Sequence, residues 1–217
     1  MSINRDRLLL YAVTDRSGES VESFYKKIEE ALLGGVTILQ LREKNISFED
    51  YLHEAMEVKR ICDSYKVPLI INDNVDVALM SGASGVHVGS TDESVAKIRK
   101  RVPADFIIGA TAKTVEQARL AQRDGADYLG VGAVFPSPTK KDAVRITAKE
   151  LKNICESVEI PAVAIGGISP LNVQELKGGR LAGIAVVSAI FGADDVTLAA
   201  RSLYELSLKV TEYGGGQ

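Results

Sequence analysis

The 217-residue chain has no tryptophan, two cysteines, two histidines and six prolines, and aromatic residues make up 6% of it. Cys62 and Cys155 stand alone in helix-like stretches, with no C-x-x-C spacing and no histidine beside them. That excludes a disulfide framework or a zinc site and suits a reduced cytoplasm. No apolar run reaches membrane-spanning length, and the opening "MSINRDRLLL" lacks the apolar core of a signal peptide, so neither a membrane nor a leader is expected. Basic runs are missing too. With a net charge of −3, nucleic acid is not the expected partner, and any anionic ligand must be held by a local cluster of cations. The closing "EYGGGQ", residues 212–217, reads as a flexible tail.

What is present is alternation. Short apolar runs fall at Leu8–Thr14, Val36–Leu41, Leu69–Asn72, Gly85–Val88, Phe106–Gly109, Tyr128–Val134, Ala162–Ile165 and Gly183–Val187. Between and after them lie helix-period stretches at Val21–Leu33, Phe48–Tyr65, Val75–Ser81, Glu93–Arg101, Val115–Asp124, Ala148–Glu156, Pro170–Lys177 and Val196–Thr211. Strict strand–helix alternation means parallel strands with crossover helices. The connections also alternate. Glycine-rich turns precede the even strands ("LLGGV", "MSGASG", "RDGAD", "KGGRLAG"), and an apolar–proline pair precedes strands three, five and seven ("KVP", "RVP", "EIP"). Eight such units in this length fit a single (β/α)8 TIM barrel over residues 1–217, with an open doubly wound sheet as the alternative.

In such a barrel, chemistry sits at the C-terminal ends of the strands. "TILQLREKN" places Gln40, Arg42 and Lys44 at every second position, on one face of strand two. Strand three ends in Asn72-Asp73, strand four in His87 with Asp92 beyond, strand five in Thr111 and Lys113. Strand six runs into "FPSPTKKDA", with Ser137, Thr139 and Lys140; strand seven ends in Gly166-Gly167, strand eight in Val187-Ser188. Taken singly, each cation could be a solvated rim residue, as Arg16, Lys113 and Lys141 are expected to be. Together, Arg42, Lys44 and Lys140 with nearby hydroxyls suit a polyanion. The glycine turn after strand seven and the strand-eight end suit a second phosphate held by main-chain N–H groups. Asp73 and Asp92 suit Mg²⁺ shared with substrate phosphates, although either could instead serve a helix N-terminus. Both histidines read as structural, and no Ser-His-Asp or Cys-His pairing is visible.

The motifs "YAVTDR", "QLREK", "IINDNVDVAL", "GVHVGSTD", "GADYLGVGAVFPSPTKKDA", "IPAVAIGGI" and "GIAVVSAI", in this order over residues 8–203, resemble the thiamine phosphate synthase family. The resemblance implies a (β/α)8 transferase that couples hydroxymethylpyrimidine diphosphate to hydroxyethylthiazole phosphate with Mg²⁺, releasing pyrophosphate. By that resemblance Gln40 would contact the pyrimidine, and Arg42, Lys44, Asn72 and Lys140 the diphosphate. Asp73 and Asp92 would hold Mg²⁺, Thr111 would offer a hydroxyl to the diphosphate, and Ser137, Thr139, Gly167, Val187 and Ser188 would hold the thiazole phosphate. The family is thought to lose pyrophosphate first, leaving a cation that the thiazole nitrogen captures. Such a reaction needs charge stabilisation rather than a nucleophile, as the residue inventory suggests.

Three positions depart from the family pattern. Thr111-Ala112-Lys113 stands where Ser-x-His is common, Ser90-Thr91-Asp92 where Gln-Glu-Asp is common, and Ser137 where threonine is usual. The alternatives are a thiazole tautomerase-like paralogue, whose histidine after strand five is missing here, and a non-catalytic thiazole-phosphate-binding regulator. Lyase or epimerase barrels would need proton-transfer residues that are not found. Apolar residues on the outer helix faces could build a homodimer, but none marks a patch.

Overall fold

The computed structural model describes residues 3–16, 18–136 and 145–211. Its eight parallel strands close into a barrel in chain order. They are β1 (Leu10–Val13), β2 (Ile38–Leu41), β3 (Leu69–Asn72), β4 (Gly85–Val88), β5 (Ile107–Ala112), β6 (Tyr128–Gly132), β7 (Ala162–Ile165) and β8 (Gly183–Val186). The pairing of β1 with β8, Leu10 opposite Ile184 and Ala12 opposite Val186, closes the ring and rules out the open sheet. Around it run α1 (Val21–Leu33), α2 (Phe48–Ser64), α3 (Val75–Met80), α4 (Val95–Arg99), α5 (Val115–Arg123), α6 (Ala148–Glu156), α7 (Ser188–Phe191) and α8 (Val196–Val210). None of the described helices is long and apolar enough to cross a membrane.

Strand periodicity sorts the side chains into two cores. Leu10, Ala12, Leu39, Leu41, Leu69 and Ile71 point outward and pack under the helices. Tyr11, Val13, Ile38, Ile70, Tyr128 and Val163 point inward and fill the barrel. Helix starts are fixed by side chains that accept otherwise unpartnered N–H groups. Ser20, Ser47, Asn74, Thr114 and Asp195 do so for α1, α2, α3, α5 and α8. Thr147 and Glu150 form a reciprocal capping box on α6. The prolines ahead of the odd strands contribute their carbonyls: Pro68 accepts from Leu39 N–H and Pro161 from Leu129 N–H.

Beyond end shifts of one or two residues elsewhere, four elements differ from the sequence expectation. The first strand starts at Leu10, because residues Arg5–Leu8 wind into a 3₁₀ turn capped by Asn4, which brings Leu8 into the barrel interior. β5 extends to Ala112, so Thr111 lies within the strand. The stretch Pro170–Lys177, read as a full helix, contains only a 3₁₀ turn at Val173–Leu176. There the Asn172 side chain accepts from Ser169 N–H and donates to the Gly167 carbonyl, competing with helix formation for local backbone groups. Finally, the extra helix α7 follows β8 directly.

Candidate active site

At the C-terminal mouth of the barrel lies a cavity of about 410 Å³. That is ample for a small phosphorylated ligand. Of the residues singled out from sequence, Gln40, Arg42, Asn72, Thr111, Gly167, Val187 and Ser188 line it. Lys44 is exposed and is not among the lining residues. Ser137, Thr139 and Lys140 lie outside the described residues, as does Lys141. Their segment departs from Pro136, a cavity wall residue, and Ile146 N–H bonds the Ala133 carbonyl at 3.0 Å, so the flanks meet at the mouth.

The walls are built by the strand ends. The hydroxyl of Thr14, fully buried after β1, accepts from Arg42 N–H at 3.0 Å. Thr14 N–H in turn donates to the Gln40 carbonyl at 2.9 Å. From α2, the Tyr51 hydroxyl reaches the carbonyls of Leu41 (2.9 Å) and Asn72 (3.2 Å), pinning the ends of β2 and β3 together. Arg42 and Asn72 are thereby presented side by side. Arg16 belongs elsewhere: it pairs with Glu54 at 2.6 Å and lies over the Phe24 ring. Lys113, expected to be a solvated rim cation, instead lines the cavity on the side of Thr111.

Asp73 and Asp92 meet beside this wall. Burial and then the hydrogen-bonding Asp92 carboxylate push the Asp73 carboxyl up to about 6, against the opposing pull of Asn72 and Arg42. Neither acid caps a helix. Asn74 caps α3, and α4 starts at Ser94–Val95, beyond Asp92. Asp92 Oδ2 accepts from Gly89 N–H at 2.7 Å, and Asp73 N–H donates to the His87 carbonyl at 2.9 Å. Asp73 holds a left-handed backbone at φ 63°, uncommon for a residue with a side chain. Two like charges pressed together are costly unless a proton or a cation intervenes. An all-oxygen pair fits Mg²⁺ that takes its other ligands from water and phosphate. No group of three or more candidate metal ligands occurs among the described residues.

The opposite wall is main chain. Gly166 and Gly167 follow β7 with φ of 104° and 65°. A Cβ on Gly167 would lie 2.1 Å from the Pro136 carbonyl oxygen, so only glycine fits there. Val187 and Ser188, at the start of α7, face the same space.

Sequence reasoning missed the floor. Tyr11, Tyr128 and His87 form a polar layer beneath the cavity together with Gln40 and Thr111. Enclosure by protein pushes the His87 imidazole down to about 4 and raises both phenols above their usual range. The floor was visible as strand parity: Tyr11, Gln40, His87 and Tyr128 all fall on inward positions, where apolar residues would be expected. The glycines at 109 and 130 are the second signal, since a strand interior disfavours glycine unless something approaches closely.

A family model described as thiamine monophosphate synthase matches residues 10–190. Thiamine-phosphate synthase of Clostridium tetani is 50% identical over 194 residues, 89% of this chain and 93% of that protein. Thiamine-phosphate synthase 2 of Streptococcus pneumoniae is 48% identical over 194 residues, covering 89% and 92%. The structure of thiamine phosphate pyrophosphorylase from Pyrococcus furiosus superposes with a TM-score of 0.87 at 38% identity, covering 95% of this chain and 98% of that one.

Proposed function

The chain belongs to the thiamine monophosphate synthase family, and from that premise we propose that it couples hydroxymethylpyrimidine diphosphate to hydroxyethylthiazole phosphate, forming thiamine phosphate and pyrophosphate. One observation carries the reading: a single cavity has a polar floor at Gln40, a wall of Arg42, Asn72 and Thr111, and a further wall at Gly167, Val187 and Ser188. That is room for a ring, a diphosphate and a second phosphate in one enclosure.

Gln40 holds the pyrimidine at the bottom. Arg42, Asn72 and Thr111 hold the diphosphate, and the carboxylates of Asp73 and Asp92 face it. Lys44 and Lys140 join them by family resemblance: Lys44 stands exposed at the rim, and Lys140 belongs to the segment entering at Pro136. Asp73 and Asp92 would hold Mg²⁺, which would supply further positive charge to the leaving diphosphate. Bond breaking comes first, and the donors that gather on the departing oxygens are positioned in advance, which is where such sites gain most of their rate. The thiazole phosphate is held by main-chain N–H groups near Gly167 and Ser188, with Ser137 and Thr139 beside it by resemblance. This orients the thiazole nitrogen toward the pyrimidine methylene.

Purified protein given both substrates with Mg²⁺ forms thiamine phosphate and pyrophosphate in equal amounts. Folded protein that forms neither overturns the proposal.

A further inference from the structure

The floor is a continuous hydrogen-bond chain. Gln40 Nε2 lies 2.8 Å from the Tyr11 hydroxyl, which lies 2.7 Å from the Tyr128 hydroxyl. Tyr128 lies 3.0 Å from His87 Nδ1, and His87 Nε2 lies 3.1 Å from Thr111 Oγ1. The two tyrosines are 1% and 0% exposed, so water does not offer them alternative partners. Room is made for the pair at the centre. A Cβ on Gly109 would lie 2.1 Å from Tyr128 Cζ and 2.5 Å from His87 Nδ1, and one on Gly130 would lie 3.0 Å from His87 Cε1. Two strands thus give up side chains where one histidine and one tyrosine must touch.

Each interior member has one hydrogen to donate along the chain and one acceptor site. Both ring nitrogens of His87 face hydroxyls, so a neutral imidazole completes the chain in a single direction. With the Gln40 amide nitrogen toward Tyr11, hydrogens run from Gln40 to Tyr11, Tyr128 and Nδ1, and from Nε2–H to Thr111 Oγ1. Thr111 then keeps its own hydrogen for the cavity. With the amide turned over, every link reverses and the Thr111 hydrogen is taken by Nε2.

We propose that His87 is a positioning residue, which transmits the orientation of the Gln40 amide through Tyr128 to the hydroxyl of Thr111. A pyrimidine edge that pairs a donor with an acceptor takes the Gln40 carbonyl and its second amide hydrogen together. It thereby locks the order in which Thr111 donates. Ring recognition at the floor thus readies a donor for the diphosphate above it. This rests on the synthase reading of the cavity, but the proton order within the chain does not.

Two measurements test it. In protein labelled with ¹⁵N-histidine and free of substrate, His87 shows Nε2 protonated and Nδ1 as a hydrogen-bonded acceptor, and Gln40→Glu, whose carboxylate can only accept from Tyr11, reverses the two; the same tautomer in both proteins overturns the proposal whether or not the enzyme is a synthase. The second is a double-mutant cycle on kcat between Gln40→Leu and Thr111→Val. The combined loss falls well short of the product of the single losses. In a Tyr128→Phe background, the same losses multiply. His87→Gln, which keeps a donor and an acceptor, recovers part of the kcat lost in His87→Leu, while KM for the thiazole phosphate is unchanged in both. Losses that multiply in the parent protein, or equal kcat in the two His87 variants, overturn the coupling.

Discussion

At the scale of a residue, Asp73 shows how a site keeps local disorder of energies in check. Its burial and its contact with Asp92 both disfavour the fully ionised pair. A carboxyl raised from 3.8 to about 6 takes up its proton earlier in the folded chain than in the unfolded one. The stability it contributes is therefore complete below pH 4 and lost as the pH rises toward and past 6. Asp73→Asn removes that slope. In Mg²⁺-free buffer at pH 7.5, thermal melting of Asp73→Asn should match or exceed that of the parent. Added Mg²⁺ should raise the parent Tm and leave the variant unmoved. An equal Mg²⁺ response in both would place the ion elsewhere. Gly109 is the converse case, a residue defined by what it omits. Gly109→Ala drives a methyl into Tyr128 and His87. It should destabilise the fold by about 1–3 kcal/mol, read from urea unfolding, and lower kcat more than a surface glycine substitution does.

At the scale of an element, strand β2 and helix α2 carry a second acid pair, outside the cavity. Glu43 lies between Arg42 and Lys44 in sequence but on the other strand face, toward Glu54 of α2. Oε1 of each is buried, with no partner among the described residues other than the facing carboxyl. Burial, then the facing Glu54, pushes Glu43 up to about 7, with Asp15 adding to the effect and Arg16 opposing it. Glu54 is raised too, by burial, against the pull of Arg16. The sign again follows from a raised acid. This stabilisation is present below pH 4.5 and is lost as the pH rises through 7. Glu43→Gln should flatten the urea-midpoint profile between pH 5 and 8 and stabilise the protein most at pH 8. A profile parallel to that of the parent would show that Glu43 is ionised throughout. The alternation in "QLREK" was legible because period two is a property of any strand. That Glu43 faces an acid was not legible, because it depends on where α2 docks. The seventh helix failed for a similar reason: Pro170–Lys177 has an acceptable helical pattern, but Asn172 closes a side-chain loop that periodicity cannot register.

At the scale of the whole molecule, the barrel divides its labour around the mouth. Strands β2 to β5 bring Gln40, Arg42, Asn72, His87 and Thr111, whereas the turns after β7 and β8 bring Gly166, Gly167, Val187 and Ser188. The closed ring was readable from the alternation of elements, and the candidate rim residues from the rule that chemistry sits at strand ends. The inward polar residues of the floor were open to strand parity, but their mutual contact was not, because it depends on the register that aligns Asn72, His87, Gly109 and Tyr128 in one layer. The division of labour predicts a separable pair of defects. Arg42→Ala removes a fixed charge from the diphosphate side and should cost about 10²–10³ in kcat, with KM for the thiazole phosphate little changed. Gly167→Ala places a methyl against the Pro136 carbonyl at a left-handed position and deforms the main-chain wall. It should raise KM for the thiazole phosphate while leaving the affinity for the pyrimidine diphosphate, measured by calorimetry, near that of the parent. The two defects should multiply in the double variant, since the walls are separate and share no side-chain partner. If Gly167→Ala weakened pyrimidine diphosphate binding as strongly as Arg42→Ala does, the mouth would be one undivided anion site, and the assignment of the second phosphate to β7 and β8 would fall.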